Sequence, residues 1–182
     1  MENYISENGF NYKSVGDGQP LVILHGLMGG LSNFEGLFDF FPKHGYAVIA
    51  PELPVYNSTL INTNVKYFAK YVKKFIDHKK LKNIVLIGNS LGGHVGLIFS
   101  KLYPKLVKGL VLTGSSGLYE NSMGDSYPKR EDYNFIKKKT QEVFYSPEIA
   151  TKEIVDEIFE TVNDRKKLIK ILAMAKSAIR HN

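Results

Sequence analysis

The sequence contains no cysteine, and no apolar run approaches membrane-spanning length. The absence of cysteine excludes disulfides, thiol catalysis and cysteine-ligated metal sites. The first residues, Met-Glu-Asn-Tyr, show neither the basic start nor the apolar core of a signal peptide. Internal repeats and low-complexity tracts are also missing. We therefore expect a cytoplasmic globular protein without membrane association.

The length of 182 residues predicts one domain, or one domain with an appendage, that can bury a substantial core. The formal net charge of +6 raises the question of nucleic-acid binding. However, the lysines are scattered through helical stretches, as solvated helix faces would have them, and no nucleic-acid recognition motif accompanies them. We expect no nucleic-acid partner.

The most informative stretch runs from residue 84 to residue 103. An apolar run, Ile-Val-Leu-Ile, meets Gly88-Asn89-Ser90-Leu91-Gly92, and a helical pattern follows. Gly-x-Ser-x-Gly alone is a weak signal, because plain turns also collect serine and glycine. The strand before it and the helix after it favour a nucleophile elbow, a sharp turn that exposes the serine hydroxyl. Ser90 would then lie at a helix N-terminus, where unpaired N–H groups favour developing negative charge.

Strand and helix patterns alternate along the first two thirds of the chain. Residues 4–15 alternate around Asn8-Gly9, which predicts an antiparallel hairpin. Further strands are predicted over residues 20–24, 46–50, 84–87 and 107–113, with a helix starting at the Ser32-x-x-Glu35 capping box and another over residues 65–76. This order predicts an α/β fold with a doubly wound, mostly parallel sheet.

From Leu118 onward the strand patterns stop. A polar loop leads into three helical patterns, the second of which we expect to start at Ser146-Pro147. We interpret this segment as a helical cap over the C-terminal edge of the sheet. The predicted division is therefore residues 1–117 for the core and residues 118–182 for the cap.

This chain resembles the α/β-hydrolase superfamily through three motifs in the same order. They are His25-Gly26 after one strand, Pro51-Glu52-Leu53-Pro54 after the next, and Gly88–Gly93 at the elbow. Within the superfamily the chain looks most like capped hydrolases of the carbon–carbon bond (meta-cleavage product) type and esterases. Gly30-Leu31-Ser32-Asn33-Phe34, the elbow and the helical cap carry that likeness. The resemblance implies the α/β-hydrolase fold, truncated here before its last strands.

The resemblance also implies roles for single residues. Ser90 would be the nucleophile, and the Leu91 N–H one oxyanion donor. The second donor would be a backbone N–H after His25-Gly26, and we favour Leu27 over Met28. Asparagines matching Asn33 and Asn89 line the polar end of the pocket in the resembling enzymes; a helix N-terminus for Asn33 and a turn for Asn89 explain them equally well. A small-molecule substrate is implied, and no metal or organic cofactor.

Two departures from the family pattern matter. The carbon–carbon hydrolases read a substrate carboxylate with a cap arginine, and Ile158 stands at the approximate match. In addition, the triad acid and histidine follow the cap in this superfamily, whereas this chain ends at His181-Asn182. Glu120 and Asp125 are unconvincing substitutes for the acid, and we expect His94 to be a packed residue rather than the base. We therefore expect the N-terminal part and cap of a longer serine hydrolase, without its triad Asp and His.

Three readings stay open at this point. The first is a hydrolase that acts on an ester or a related acyl or carbon–carbon substrate through a Ser90 acyl-enzyme. The second is a non-catalytic module that binds a small ligand on the same fold. The third is a shortened protein that completes its sheet with a partner or a second copy, so a homo-oligomer also stays open.

Overall fold

The structure, a computed structural model, describes residues 4–28, 30–118 and 129–179, without the side chains of residues 32, 33 and 179. The described part has six strands: β1 Tyr4–Glu7, β2 Phe10–Val15, β3 Gln19–Leu24, β4 Tyr46–Pro51, β5 Ile84–Asn89 and β6 Val107–Thr113. Its α-helices are α1 Glu35–Phe40, α2 Val65–His78, α3 Leu91–Leu102, α4 Tyr133–Gln141, α5 Lys152–Asn163 and α6 Arg165–Ile179. No helix in these ranges is both long and apolar enough to span a bilayer.

The strands form one sheet in the order β1-β2-β4-β3-β5-β6. The pairs β1–β2 and β2–β4 are antiparallel, and the other three pairs are parallel. The hairpin β1–β2 turns at Asn8 and Gly9, whose φ angles of 49° and 77° are both positive, as a type I′ turn requires. The predicted hairpin and the predicted parallel sheet are thus both confirmed.

Alternate residues of the central strands pack against helices on opposite faces of the sheet. Val22 and Leu24 of β3 point into a core built with α2 and α3, which includes Phe68, Phe75 and Phe99. Leu21 and Ile23 point to the other face, where Phe34 and Phe38 of the segment around α1 cover them. Because β3 is buried on both faces, its sequence is a continuous apolar run rather than an alternating one.

A cluster around Glu7 ties the hairpin to the end of α2. The Tyr12 hydroxyl donates to Glu7 at 2.7 Å, and Lys79 Nζ donates to both Glu7 and Tyr12, at 3.1 and 2.7 Å. His78 Nε2 lies 3.1 Å from the same carboxylate. These hydrogen bonds lower the pKa of Glu7 to about 2, and the bond from Tyr12 has the largest effect.

Two predicted helix starts are wrong. The segment at Ser32 begins with a 3-10 turn, Leu31–Phe34, and the α-helix starts at Glu35 with Phe34 as its N-cap and no side-chain cap bond. Ser146-Pro147 likewise opens only a short 3-10 turn, Pro147–Ile149, and α5 begins after Thr151. Both sequences satisfy the local start signal, but each opens a 3-10 turn of three or four residues: the first leads directly into α1 at Glu35, and the second ends before α5.

Helix α6 returns to the core. The Val65 N–H at the start of α2 donates to Ser177 Oγ at 3.2 Å, and Met174 is 1% exposed within the α2–α3 core. Helices α4 and α5 pack on each other, and α5 packs on α6. The division of the chain between residues 117 and 118 stays a prediction. Helix α6, on the predicted cap side, contacts α2, on the predicted core side.

Candidate active site

Ser90 forms the turn between β5 and α3. Its φ of 50° and ψ of −117° lie outside the regions that side chains other than glycine normally adopt, a conformation that costs on the order of 1–3 kcal/mol. Hydrogen bonds hold the strained residue: its N–H donates to the Thr113 carbonyl, and its carbonyl accepts from the Ser116 N–H, both at 3.2 Å. The turn thus has the predicted strand–turn–helix geometry.

Glycines let α3 lie against the sheet at this turn. A Cβ on Gly92 would lie 1.9 Å from the Leu24 carbonyl oxygen, and a Cβ on Gly88 would lie 2.5 Å from the Gly93 Cα. Both distances are far below ordinary contact, so neither position accepts a side chain without backbone movement. As a result, the first turn of α3 and the end of β3 come directly together.

The loop after β3 lies beside Ser90. A Cβ on Gly26 would lie 3.5 Å from Ser90 Cβ and 3.3 Å from Asn89 Oδ1. His25, which is 7% exposed, donates from Nδ1 to the Gly26 carbonyl at 2.8 Å and accepts the Leu53 N–H on Nε2 at 2.8 Å. These two bonds assign the proton to Nδ1. The arrangement is consistent with the structural role that we expected for His25.

His25 also fixes the direction of a neighbouring N–H. The Gly26 C=O and the Leu27 N–H belong to one planar trans peptide and point in opposite directions. Because His25 holds the carbonyl, the Leu27 N–H points away from His25. At the other strand, the Leu91 N–H is the first of α3 and has no acceptor within its own helix. The two N–H groups predicted as oxyanion donors therefore belong to adjoining segments.

The two predicted pocket asparagines, Asn89 and Asn33, lie on different segments. Asn89 donates from Nδ2 to the carbonyl of Thr113 at 2.9 Å and to its hydroxyl at 3.2 Å, which ties the end of β5 to the end of β6. A turn-supporting role therefore accounts for Asn89. Asn33 lies in the 3-10 turn Leu31–Phe34, and its side chain is outside the described part of the chain, so its predicted pocket role stays a prediction.

The described histidines other than His25 lie in packed or peripheral places. His44 donates to the Phe40 carbonyl at 2.8 Å, and His78 belongs to the Glu7 cluster. His94 is 1% exposed, and Gly117 approaches its ring so closely that a Cβ there would lie 2.5 Å away. Glu120, Asp125 and His181 lie outside the described residues. The absence of the triad acid and base from this chain stays a prediction.

A cavity of about 200 Å³ lies between the loops after β3 and β4 and the helices α5 and α6. Leu27 and Tyr56 lie on its core side, and Thr161, 5% exposed, lies on its helical side. The charged residues that line it are Glu52, Glu157, Glu160 and Lys167. Ser90 does not line the cavity; Gly26 and Leu27 connect the two. Among the described residues, no three His, Asp or Glu side chains are grouped so as to hold a metal ion.

Tyr56 lines the cavity and contacts both the loop after β3 and helix α6. Its hydroxyl donates to the Leu27 carbonyl at 3.0 Å, and Lys167 Nζ lies 5.6 Å from the centre of its ring. Burial, together with the charge of Glu157, raises the pKa of Tyr56 to about 12. The hydroxyl therefore remains protonated, and able to donate, at neutral and mildly alkaline pH.

Sequence reasoning did not find Tyr56, Glu157, Thr161 or Lys167. Tyr56 stands in an irregular loop without a motif, and the other three lie on amphipathic helices whose polar faces look like ordinary solvated surface. Only the folding of α5 and α6 back onto the β3 and β4 loops brings these residues together.

Comparison with known proteins identifies the family to which this fold belongs. The family model described as alpha/beta hydrolase fold matches residues 19–160. The chain belongs to the α/β-hydrolase family. Its six-stranded mixed sheet with flanking helices is accordingly an α/β-hydrolase fold.

Two curated relatives indicate the range of names in this α/β-hydrolase family. The chain is 30% identical over 128 residues to 2-hydroxy-6-oxo-6-(2'-aminophenyl)hexa-2,4-dienoic acid hydrolase of Metapseudomonas resinovorans, a match that covers 65% of this chain and 43% of the relative. It is 27% identical over 142 residues to a Mycoplasma genitalium protein whose name suggests an esterase or lipase, with 73% and 53% covered. The chain thus spans about half the length of these relatives.

Among solved structures, the chain is similar to MGS-MChE2, an α/β-hydrolase enzyme from the metagenome of sediments of the Mar Chica lagoon, Morocco. The two are 48% identical with a TM-score of 0.77, and the match covers 98% of this chain and 67% of that one. The likeness therefore extends through helices α4–α6 and is not confined to the sheet.

Proposed function

We propose that Ser90 is the nucleophile of a serine esterase to which this α/β-hydrolase chain contributes the elbow, the oxyanion loop and part of the substrate pocket. The strained φ of Ser90 supports the proposal most directly, because such a conformation persists only when the surrounding structure enforces it. A general base in the complete enzyme would take the Ser90 hydroxyl proton as Oγ attacks the ester carbonyl and a tetrahedral oxyanion forms, and would later give that proton to the departing alcohol. The Leu27 and Leu91 N–H groups would stabilise that oxyanion until the alcohol departs and leaves an acyl-enzyme.

The charges around the cavity favour an ester without a carboxylate. Three glutamates and one lysine line it, so an anionic substrate would meet net repulsion. Ile158 is the approximate match to the carboxylate-binding arginine of the resembling carbon–carbon hydrolases, and Arg165 does not line the cavity. A neutral ester fits this surface better than a dienoate.

Labelling with a fluorophosphonate tests the nucleophile. Both the 182-residue chain and the product of the complete reading frame would be treated, and the labelled peptide identified by mass spectrometry. We expect the label on Ser90 in the complete product, and p-nitrophenyl butyrate turnover that falls at least about a thousandfold in Ser90→Ala. Ser100→Ala is the matched control, because Ser100 lies in α3, the helix that follows Ser90, and its hydroxyl is buried without a hydrogen-bond partner in the described structure. An unlabelled and inert complete product would favour the alternative, a non-catalytic module that binds a small ligand.

A second measurement tests the substrate class. p-Nitrophenyl butyrate and the mono-p-nitrophenyl ester of succinate are similar in length but differ in charge. We expect kcat/KM to be about tenfold or more higher for the neutral ester, a difference of about 1.4 kcal/mol. Glu157→Gln should narrow the gap, because it removes one repelling charge. Equal kcat/KM values for the two esters would refute this assignment.

A further inference from the structure

The hydroxyl of Tyr56 makes one contact that the motifs do not account for. It donates to the carbonyl of Leu27 at 3.0 Å, across 29 residues of sequence. That carbonyl belongs to the peptide between Leu27 and Met28, the one that follows the peptide held by His25. Leu27 is therefore flanked by two peptide planes, each fixed by the side chain of a different residue.

Fixing both planes fixes the φ and ψ of Leu27. The peptide before Leu27 carries its own N–H, and the peptide after it carries the N–H of Met28. The N–H groups of Leu27 and Met28 are the two candidates for the second oxyanion donor. The direction of each depends on the hydrogen bond that holds the carbonyl of its own peptide. Loss of either bond would let the loop rotate, and an oxyanion donor is effective only when it is already aimed at the position of the charge.

Tyr56 is itself held from the far side. Its ring packs against the α2–α3 core, and Lys167 of α6 lies above its face. Since α5 and α6 also supply the charged wall of the cavity, Tyr56 connects that wall with the loop beside Ser90.

We propose that Tyr56 is a positioning residue for the oxyanion loop: by holding the peptide after Leu27 it keeps the loop from rotating, so that the Leu27 N–H of the preceding peptide stays aimed at the substrate. This inference rests on the proposed esterase function. Tyr56 takes no proton and forms no bond with substrate in this role; it acts through Leu27.

The test compares Tyr56→Phe with Tyr71→Phe in the complete product. Tyr71 is a matched control, because burial raises its pKa to about 12 as well, but it lies on α2 against Phe10 and does not line the cavity. For Tyr56→Phe we expect kcat for p-nitrophenyl butyrate to fall about tenfold, with KM changed by less than about twofold, since ground-state binding is kept and oxyanion stabilisation is reduced. Tyr71→Phe should leave both constants unchanged.

Amide hydrogen exchange supplies a readout that needs no turnover. In Tyr56→Phe, the peptide that contains Leu27 and Met28 should exchange several-fold faster, and in Tyr71→Phe it should not. Unchanged exchange in Tyr56→Phe would overturn the proposal, as would faster exchange with unaltered kcat. If the wild-type complete product neither turns over ester nor accepts fluorophosphonate, the esterase function fails, and faster exchange would then leave Tyr56 with a purely structural role.

Discussion

Substituting Gly92 by alanine tests the most crowded glycine in the described part of the chain. The new Cβ would lie 1.9 Å from the carbonyl oxygen of Leu24 and 2.7 Å from that of His25, whereas ordinary contact begins near 3.4 Å. Both neighbours are backbone atoms of a strand end and its loop, so relief requires α3 to move by about 1.5 Å. Overpacking costs about 1–3 kcal/mol and occasionally more, and a clash with backbone atoms rather than flexible side-chain ends belongs at the upper end, about 3 kcal/mol or more. Alanine recovers about 1 kcal/mol of helix propensity.

We therefore expect Gly92→Ala to lower the free energy of unfolding by about 2 kcal/mol or more, measured by urea denaturation followed by circular dichroism. Under the proposed esterase function, activity should fall further than the folded fraction, because the shift separates Ser90 from the Gly26 loop.

Gly36→Ala is the control substitution for this experiment. Gly36 also lies in a helix, but a Cβ there meets nothing within 4 Å, so alanine should raise stability by up to about 1 kcal/mol. Gly96→Ala should fall between the two, because its nearest neighbour is the end of the flexible Leu110 side chain at 3.0 Å. A wild-type urea midpoint in Gly92→Ala would refute the direct contact between α3 and β3.

Three further measurements test other parts of the structure. The pKa of Glu7 is lowered from 4.5 to about 2, so its hydrogen bonds stabilise the fold fully above pH 4.5, and this stability is lost as the pH falls towards 2. The urea midpoint should therefore decline more steeply between pH 4.5 and pH 2 in the wild type than in Glu7→Gln. Phe75→Ala removes a fully buried ring and should lower the free energy of unfolding by about 3–5 kcal/mol; a loss under about 1 kcal/mol would contradict its burial. Asn64→Ala removes the side chain that caps α2 and should cost about 1 kcal/mol in the same assay, whereas Asn64→Asp, which keeps the acceptor, should cost less.

Much of the sheet could be predicted from sequence because its signals are local. Asn8-Gly9 favours one turn type, and the strand over residues 107–113 is found at the predicted residues. The starts at Ser32 and Ser146 were wrong because a capping pattern does not specify whether the residues after it adopt α or 3-10 geometry. Local patterns therefore located the strands better than they located the helix ends.

The candidate site divides in the same way. Ser90 and its glycines form one continuous motif, so the sequence alone located the elbow. Tyr56 and Lys167 are separated by more than a hundred residues, and their meeting depends on how α6 packs against α2. Long-range packing of this kind has no counterpart in a short motif, and the polar wall of the cavity could not have been predicted.

The pairing of β3 with β5 has a consequence for how preparations of this protein can be judged. Leu24 is paired with Gly88, so the loop after β3 and the turn at Ser90 leave adjacent strands at matching heights. A slip of one residue would displace one loop by about 3.3 Å and turn every side chain of that strand to the other face. A chain misfolded in this way could remain compact and keep its helical signal while losing its chemistry. Under the proposed esterase function, catalytic activity per milligram would then report the share of correctly registered molecules, which a circular dichroism spectrum cannot do.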